Sequence, residues 1–229
     1  MSATVSQLPG ARDESLLLAK LRRARIVAVV TVDDVADAAP LAGSLTAGGI
    51  TAVDLALRTP AALAALREFR TAAPGVLLGA GTVLLPEQAD AARAAGADFA
   101  LAPGLDVATA RHSGAVGLPF VPGVATASDI QAALREGFRL LKWFPAEPLG
   151  GARGLRALAA PFAHFGVRYL PLGGIDEAKA LAYLADPMVA AVGGSWIAPS
   201  EMIRAREWDA IRSRAAAAVA LAGGTFPAI

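Results

Sequence analysis

An amine lies inside an apolar stretch where residues 139–145 read RLLKWFP. At the two-residue period of a strand, Leu140, Lys142 and Phe144 share a face, so a core that takes Leu140 and Phe144 takes Lys142 with them. Desolvating an ammonium is costly. Burial therefore lowers the pKa and leaves neutral, nucleophilic amine near pH 7, the form that Schiff-base chemistry on a carbonyl requires. Of 21 basic residues only Lys20, Lys142 and Lys179 are lysines; the rest are arginines, which cannot form an imine. The residues alone leave a second role open, a lysine stem packed on a strand with its head at solvent or a carboxylate.

Other side chains fall where they could work with that amine. By alternation Asp54, Ala56 and Arg58 share the inward face of a strand over 52–57. A buried aspartate must be paired, hydrogen-bonded or at work. Arg58, at the strand's end, suits bidentate binding of a carboxylate. Thr82, in the run GAGTV, offers a hydroxyl, and Pro122 shapes the loop in VPGV. Gly173-Gly174 and Gly193-Gly194-Ser195 follow two later strands, the second pair opening a short helix-like segment at Ser195. Glycine turns and a helix N-terminus in those two places match a phosphate site built from backbone N–H groups, with ordinary tight turns as the alternative.

Composition narrows the partners. Hydrophobic residues make up 55% and charged residues 18% of 229. No apolar run approaches the ~18 residues of a membrane span, and the first 15 residues lack a basic segment leading into an apolar core. A net charge of +1 gives no field for nucleic acid or an acidic membrane. There is no cysteine, so no thiolate nucleophile or zinc-cysteine site, and the two histidines, His112 and His164, are too far apart to suggest a metal centre. The expectations are a small-molecule substrate, no metal, and the cytoplasm as default location.

The elements that must hold these residues repeat. After a flexible segment 1–12, Asp13 caps a first helix through about Arg23. Strands follow at 26–32, 52–57, 76–80, 98–102, 120–121, 139–144, 169–172 and 189–192, with helices near 33–47, 60–72, 86–95, 106–113, 127–136, 151–160, 176–185 and 207–222. Pro60 and Pro86 stand at helix starts. Alternation of this kind calls for a parallel sheet. Eight units in about 200 residues predict an α/β chain that is a single (β/α)8 TIM barrel over 1–229, with an extra N-terminal helix at its bottom. An open doubly wound sheet is the alternative, but TVDD follows the first strand where that fold needs a glycine-rich turn.

The ordered segments DLALRT (54–59), GAGTV (79–83), FVPG (120–123), KWFPAE (142–147), LGGI (172–175) and GGSW (193–196) closely resemble the class I 2-keto-3-deoxy-6-phosphogluconate (KDPG) / 4-hydroxy-2-oxoglutarate (KHG) aldolase family. The resemblance runs over nearly the whole chain. It implies a homotrimeric barrel that cleaves a 2-keto-4-hydroxy acid to pyruvate and an aldehyde, without metal or organic cofactor, in Entner-Doudoroff carbohydrate metabolism. Lys142 is then the Schiff-base lysine, Asp54 the proton-transfer group and Arg58 the carboxylate-binding residue. Thr82 lines the pyruvate end, Pro122 and Phe144 are further substrate-binding residues, and Gly173, Gly174, Gly193, Gly194 and Ser195 hold the phosphate of a sugar-acid phosphate. Two positions depart from the pattern. The family carries a glutamate where Asp54 stands, which retracts the carboxylate by roughly 1.3 Å, on the scale that can cost a catalytic group about a hundredfold. It also carries a threonine where Leu172 stands. Alternatives are an aldolase for an unphosphorylated keto acid, an isomerase or epimerase barrel, and a ligand-binding barrel with weak or lost turnover.

Overall fold

Nine short strand segments, all paired in parallel, alternate with helices in this computed structural model, which describes residues 11–223. The expected flexible segment thus falls outside the described residues up to residue 10. The first helix, α1, spans Ala11–Ala24, so Asp13 lies in its first turn rather than at its cap. The strands are β1 (Ile26–Val30), β2 (Ala52–Ala56), β3 (Leu77–Gly81), β4 (Phe99–Leu101), β5 (Phe120–Val121), β6 (Gly123–Val124), β7 (Leu140–Trp143), β8 (Arg168–Pro171) and β9 (Val192–Gly194). The remaining helices are α2 (Ala38–Ala47), α3 (Ala62–Ala72), α4 (Pro86–Ala94), α5 (Val107–Ala115), α6 (Ala127–Arg135), α7 (Gly151–Ala159), α8 (Glu177–Leu184), α9 (Ser200–Arg204) and α10 (Trp208–Ala222).

The strands form two hydrogen-bonded arcs, β5-β4-β3-β2-β1-β9 and β6-β7-β8. A continuous eight-stranded ladder was the expectation; the break has a local cause. Pro122 separates β5 from β6 and has no N–H to give, although its carbonyl still accepts the Lys142 N–H at 2.8 Å. On the far side β8 meets the chain before β9 at one bridge, Tyr169 with Val189. The architecture is α/β, parallel, curled and TIM-barrel-like.

Period-two alternation sorts the side chains into two layers. Val27, Ala52, Leu77, Phe99, Leu101, Val121, Leu140, Leu170 and Leu172 form an inner cluster. Val53, Leu55, Leu78, Ala80, Leu141 and Trp143, one position out of phase, pack outward against the helices. Leu17 and Leu21 of α1, four apart on one helix face, join the inner cluster. Each such leucine contributes about 1.5–3 kcal/mol when fully buried. Glu14, a turn earlier, accepts the backbone N–H of Arg139 at 2.7 Å and that of Leu140, tying α1 to the start of β7.

Two local expectations are corrected. Gly193 and Gly194 lie within β9, in register with Val27 and Ala28, not in a turn after it. The short helix begins at Ser200 rather than Ser195, because Pro199 holds an extended cap with ψ 146° and biases the residue before it away from helix. Pro60 likewise sits in a turn two residues ahead of α3, while Pro86 does open α4.

Candidate active site

Lys142 is 5% exposed and Asp54 2% exposed, each on the inner face of its strand. Leu140 on one side of the lysine and Phe144 on the other belong to the inner cluster, as the alternation required. The Lys142 Nζ lies 5.0 Å from the centre of the Phe144 ring, in cation–π range. Gly137, with φ 86°, ends the α6 unit and releases the chain into β7, and the Thr126–Asp129 capping box fixes where α6 starts.

Burial pushes the Lys142 ammonium below its usual pKa; the Asp54 charge opposes that and the Arg58 charge adds to it. Burial pushes Asp54 above the usual carboxylate range, with Lys142 and Arg58 opposing. The two groups feel each other without closing an ion pair at 4.0 Å or less. The Asp54 Oδ1 is buried and has no hydrogen-bond partner among the described residues. An orphaned buried acceptor costs about 1–3 kcal/mol and is the kind of group retained for work on a substrate.

Gly81 makes room for that carboxylate, since a Cβ there would stand 2.1 Å from Asp54 Oδ1. Its partner in β2 is Ala56, two residues beyond Asp54. Thr82, next in the chain, has φ 61°, a left-handed conformation that costs a β-branched residue about 1–3 kcal/mol and that collects at functional sites. Arg58, exposed at the end of β2, donates from Nη2 to Thr31 Oγ1 at 2.9 Å. Thr31 was not singled out in the sequence, and Gly81 stood out only as one of the small residues of GAGTV. A glycine inside a strand is a usable signal of close approach; Thr31 has no motif.

A second group of residues lies farther out. Arg58, Thr31, Gly174, Ser195, Trp196 and Glu201 are among those lining a cavity of about 640 Å³, and among the described residues Arg58 is its one basic side chain. Gly173 and Gly174 have φ 101° and 78°, conformations that favour glycine. Ala146 and Glu147 donate their N–H groups to Leu172 O at 2.8 Å and Gly173 O at 3.0 Å. The segment beyond Lys142, with its cis Phe144–Pro145 bond, is thereby zipped to the glycine turn. Glu147 accepts from the Tyr183 hydroxyl at 2.8 Å and packs beneath Gly174.

Lys142, Asp54, Pro122 and Phe144 therefore gather in the interior, Arg58, Gly174 and Ser195 gather at the cavity, and Thr82 follows the strand beside Asp54. Gly193 and Gly194 are buried in β9, and their missing side chains are replaced by Leu172 and by the Trp196 ring. Neither histidine joins the site: His112 Nε2 meets Asp90 at 3.0 Å and His164 stacks on Phe165. Among the described residues no three His, Cys, Asp or Glu side chains cluster as a metal site would need.

Comparison with known proteins agrees with this geometry. The model of the KDPG and KHG aldolase family matches residues 17–214. A 2-dehydro-3-deoxy-phosphogluconate aldolase of Treponema pallidum is 43% identical over 191 residues, 83% of this chain and 90% of that protein. The KDPG aldolase of Legionella pneumophila, solved with pyruvate captured as a covalent carbinolamine intermediate, superposes with a TM-score of 0.83 at 37% identity, covering 88% of this chain and 97% of its own. The Zymomonas mobilis enzyme with 3-phosphoglycerate gives 0.84 at 36% identity, covering 94% and 99%. With the matched region spanning nearly all of the described fold and both groups of candidate residues, this chain belongs to the KDPG and KHG aldolase family.

Proposed function

We propose that this chain is a class I aldolase that reversibly cleaves a 2-keto-4-hydroxy acid, 2-keto-3-deoxy-6-phosphogluconate or 4-hydroxy-2-oxoglutarate, to pyruvate and glyceraldehyde 3-phosphate or glyoxylate. One observation carries the reading: an amine and a carboxylate share an apolar interior, where burial lowers the pKa of the amine and raises that of the carboxylate so that each can give up or take a proton. Neutral Lys142 attacks C2 of the keto acid, and the carbinolamine loses water to give an iminium. Asp54, directly or through a water, takes the C4-hydroxyl proton as the C3–C4 bond breaks, and its electron pair passes into the iminium to form an enamine. Protonation at C3 and hydrolysis release pyruvate and restore the lysine. Arg58 holds the C1 carboxylate so that C2 meets the amine in a reactive geometry. Thr82, Pro122 and Phe144 surround the pyruvate end. Gly173, Gly174, Gly193, Gly194 and Ser195 take the phosphate end, with Gly193 and Gly194 acting through the shape they leave for Leu172 and Trp196.

A second reading, cleavage of an unphosphorylated keto acid, is favoured by the cavity itself. If Arg58 takes the C1 carboxylate, no other cation among the described residues lines the space for a phosphate, while Glu201 does line it. Pyruvate release from both substrates is the test. Asp54→Asn is expected to lower kcat about 10²–10⁴-fold for either, and the ratio of kcat/KM between them decides which the site prefers. Full activity in Asp54→Asn would remove the aspartate from the mechanism.

The same reading takes the two arcs as one closed (β/α)8 barrel in a single domain, with β5 and β6 as one strand interrupted at Pro122 and α1 as the plug. The Ala190 N–H to Tyr169 O bond of 2.8 Å beside the single bridge supports closure between β8 and β9. A homotrimer, a cytoplasmic location and a place in Entner-Doudoroff breakdown of sugar acids complete it.

A further inference from the structure

Trp196 is shared by two cavities. It lines the space of about 640 Å³ that holds Arg58 and Ser195, and it lines a second of about 440 Å³ bounded by Asp176, Glu177, Ser213, Arg214 and Ala217. The remainder of the partition is equally thin, since Gly174 and Ile175 face the first space and the next two residues face the second. The ring has a fixed seat. It rests where Gly194 lacks a side chain, and a Cβ at Gly194 would stand 1.6 Å from Cζ3 of the ring. Behind it, Arg214 Nη1 donates to the Trp196 carbonyl at 2.7 Å.

We propose that Trp196 is the wall that sets the length of the acceptor aldehyde, and that the cavity behind it is a latent subsite for polyhydroxylated aldehyde tails. The inference rests on the aldolase reading above. In the synthetic direction the enamine carbon bonds to the aldehyde carbon, the aldehyde oxygen takes a proton, and water releases the product from Lys142. Whatever trails the aldehyde must then lie along the first cavity toward Trp196. The groups beyond the wall select hydroxyls. Asp176 caps α8 and pairs with Lys179 at 2.6 Å, and Arg214 gives one Nη1–H to the Trp196 carbonyl while its remaining N–H groups can donate to a ligand oxygen. The exposed Glu177 carboxylate and the lone pairs of Ser213 Oγ, whose proton goes to Asp209 O at 2.9 Å, are left as acceptors. Acceptors of this kind bind O–H groups, and because two carboxylates, Asp176 and Glu177, face the one guanidinium of Arg214, the lining favours hydroxyls over a phosphate.

The test compares condensation of pyruvate with glyceraldehyde, glyceraldehyde 3-phosphate, erythrose and ribose in the wild type, Trp196→Ala and Trp196→Leu. Opening the wall is expected to raise kcat/KM for erythrose and ribose relative to glyceraldehyde by about ten- to a hundredfold, with no such gain for the phosphorylated aldehyde. Adding Ala217→Trp to Trp196→Ala refills the second cavity and is expected to reverse the gain. Unchanged ratios in both Trp196 variants, or a gain that Ala217→Trp leaves intact, overturn the proposal. Trapping pyruvate on each variant with borohydride separates this failure from that of the parent reading: an adduct with unchanged ratios condemns the wall alone, whereas no adduct on the wild type condemns the aldolase assignment.

Discussion

The amine at Lys142 is poised by two opposing influences, and they can be separated. Burial lowers its pKa from 10.5 and the Asp54 charge raises it, so Asp54→Asn should lower it further. The pH at which pyruvate trapping reaches half its maximum is expected to move to lower values in that variant; no move would mean that Asp54 is not charged beside the lysine. The linkage to stability has a definite sign for each group. The unfolded chain holds the Lys142 proton more tightly than the folded one, so this contribution to stability grows as pH rises from the lowered pKa toward 10.5. For Asp54 the folded chain holds the proton more tightly, so its contribution is fullest below 3.8 and is lost as pH rises through the raised pKa. Gly81 gives a second test at this scale. Gly81→Ala drives a methyl into the carboxylate and is expected to cut kcat about a hundredfold through displacement of Asp54, measured as pyruvate release. The inward placement of Lys142 and Asp54 was legible because strand alternation acts within one segment, whereas Arg58, expected on the same face, is exposed beyond the end of β2. The partners that Gly81 and Thr31 meet were not legible, because those contacts are made across strands, where only the register Ala56 to Gly81 and the Arg58–Thr31 hydrogen bond bring them together.

Among the elements, α1 has the most to say about how the site is held. Glu14 accepts two backbone N–H groups at the foot of β7, two residues before the lysine, and burial outweighs those bonds to raise its pKa from 4.5. Glu14→Ala leaves both donors unmet and is expected to cost about 1–3 kcal/mol of unfolding free energy. Glu14→Gln keeps an acceptor without a charge to bury, and should recover most of that loss at neutral pH. Thermal or urea unfolding measures both, and equal loss in the two variants would show that the charge, not the acceptor, matters. Strand and helix order was readable from periodicity, with boundaries shifted by a few residues. The larger misreading concerned β9. Glycine is poor in strands, so Gly193-Gly194 looked like a turn, yet Leu172 and Trp196 occupy the space its side chains would need and keep the pair extended. The break at Pro122 was visible as a proline but its effect on the ladder depends on β7 lying alongside.

At the scale of the whole molecule the chain offers the chemistry few choices. It has three lysines; Lys20 and Lys179 are exposed, and only Lys142 is buried within the inner cluster beside an aspartate. Exposed lysines remain ammonium at neutral pH and react poorly with a ketone, so burial marks Lys142 as the lysine to test for imine formation. The inward placement of Lys142 and Asp54 was legible in the sequence because each is read along a single strand. The cavity was not, since its wall joins the ends of β1, β2, β8 and β9 and is shaped by what glycines lack. The most direct measurement is reduction of the protein with borohydride in the presence of pyruvate, followed by peptide mass mapping. One reduced pyruvyl group on Lys142, absent from Lys142→Met, is the expected result; an unmodified protein, or modification confined to Lys20 or Lys179, would contradict the account.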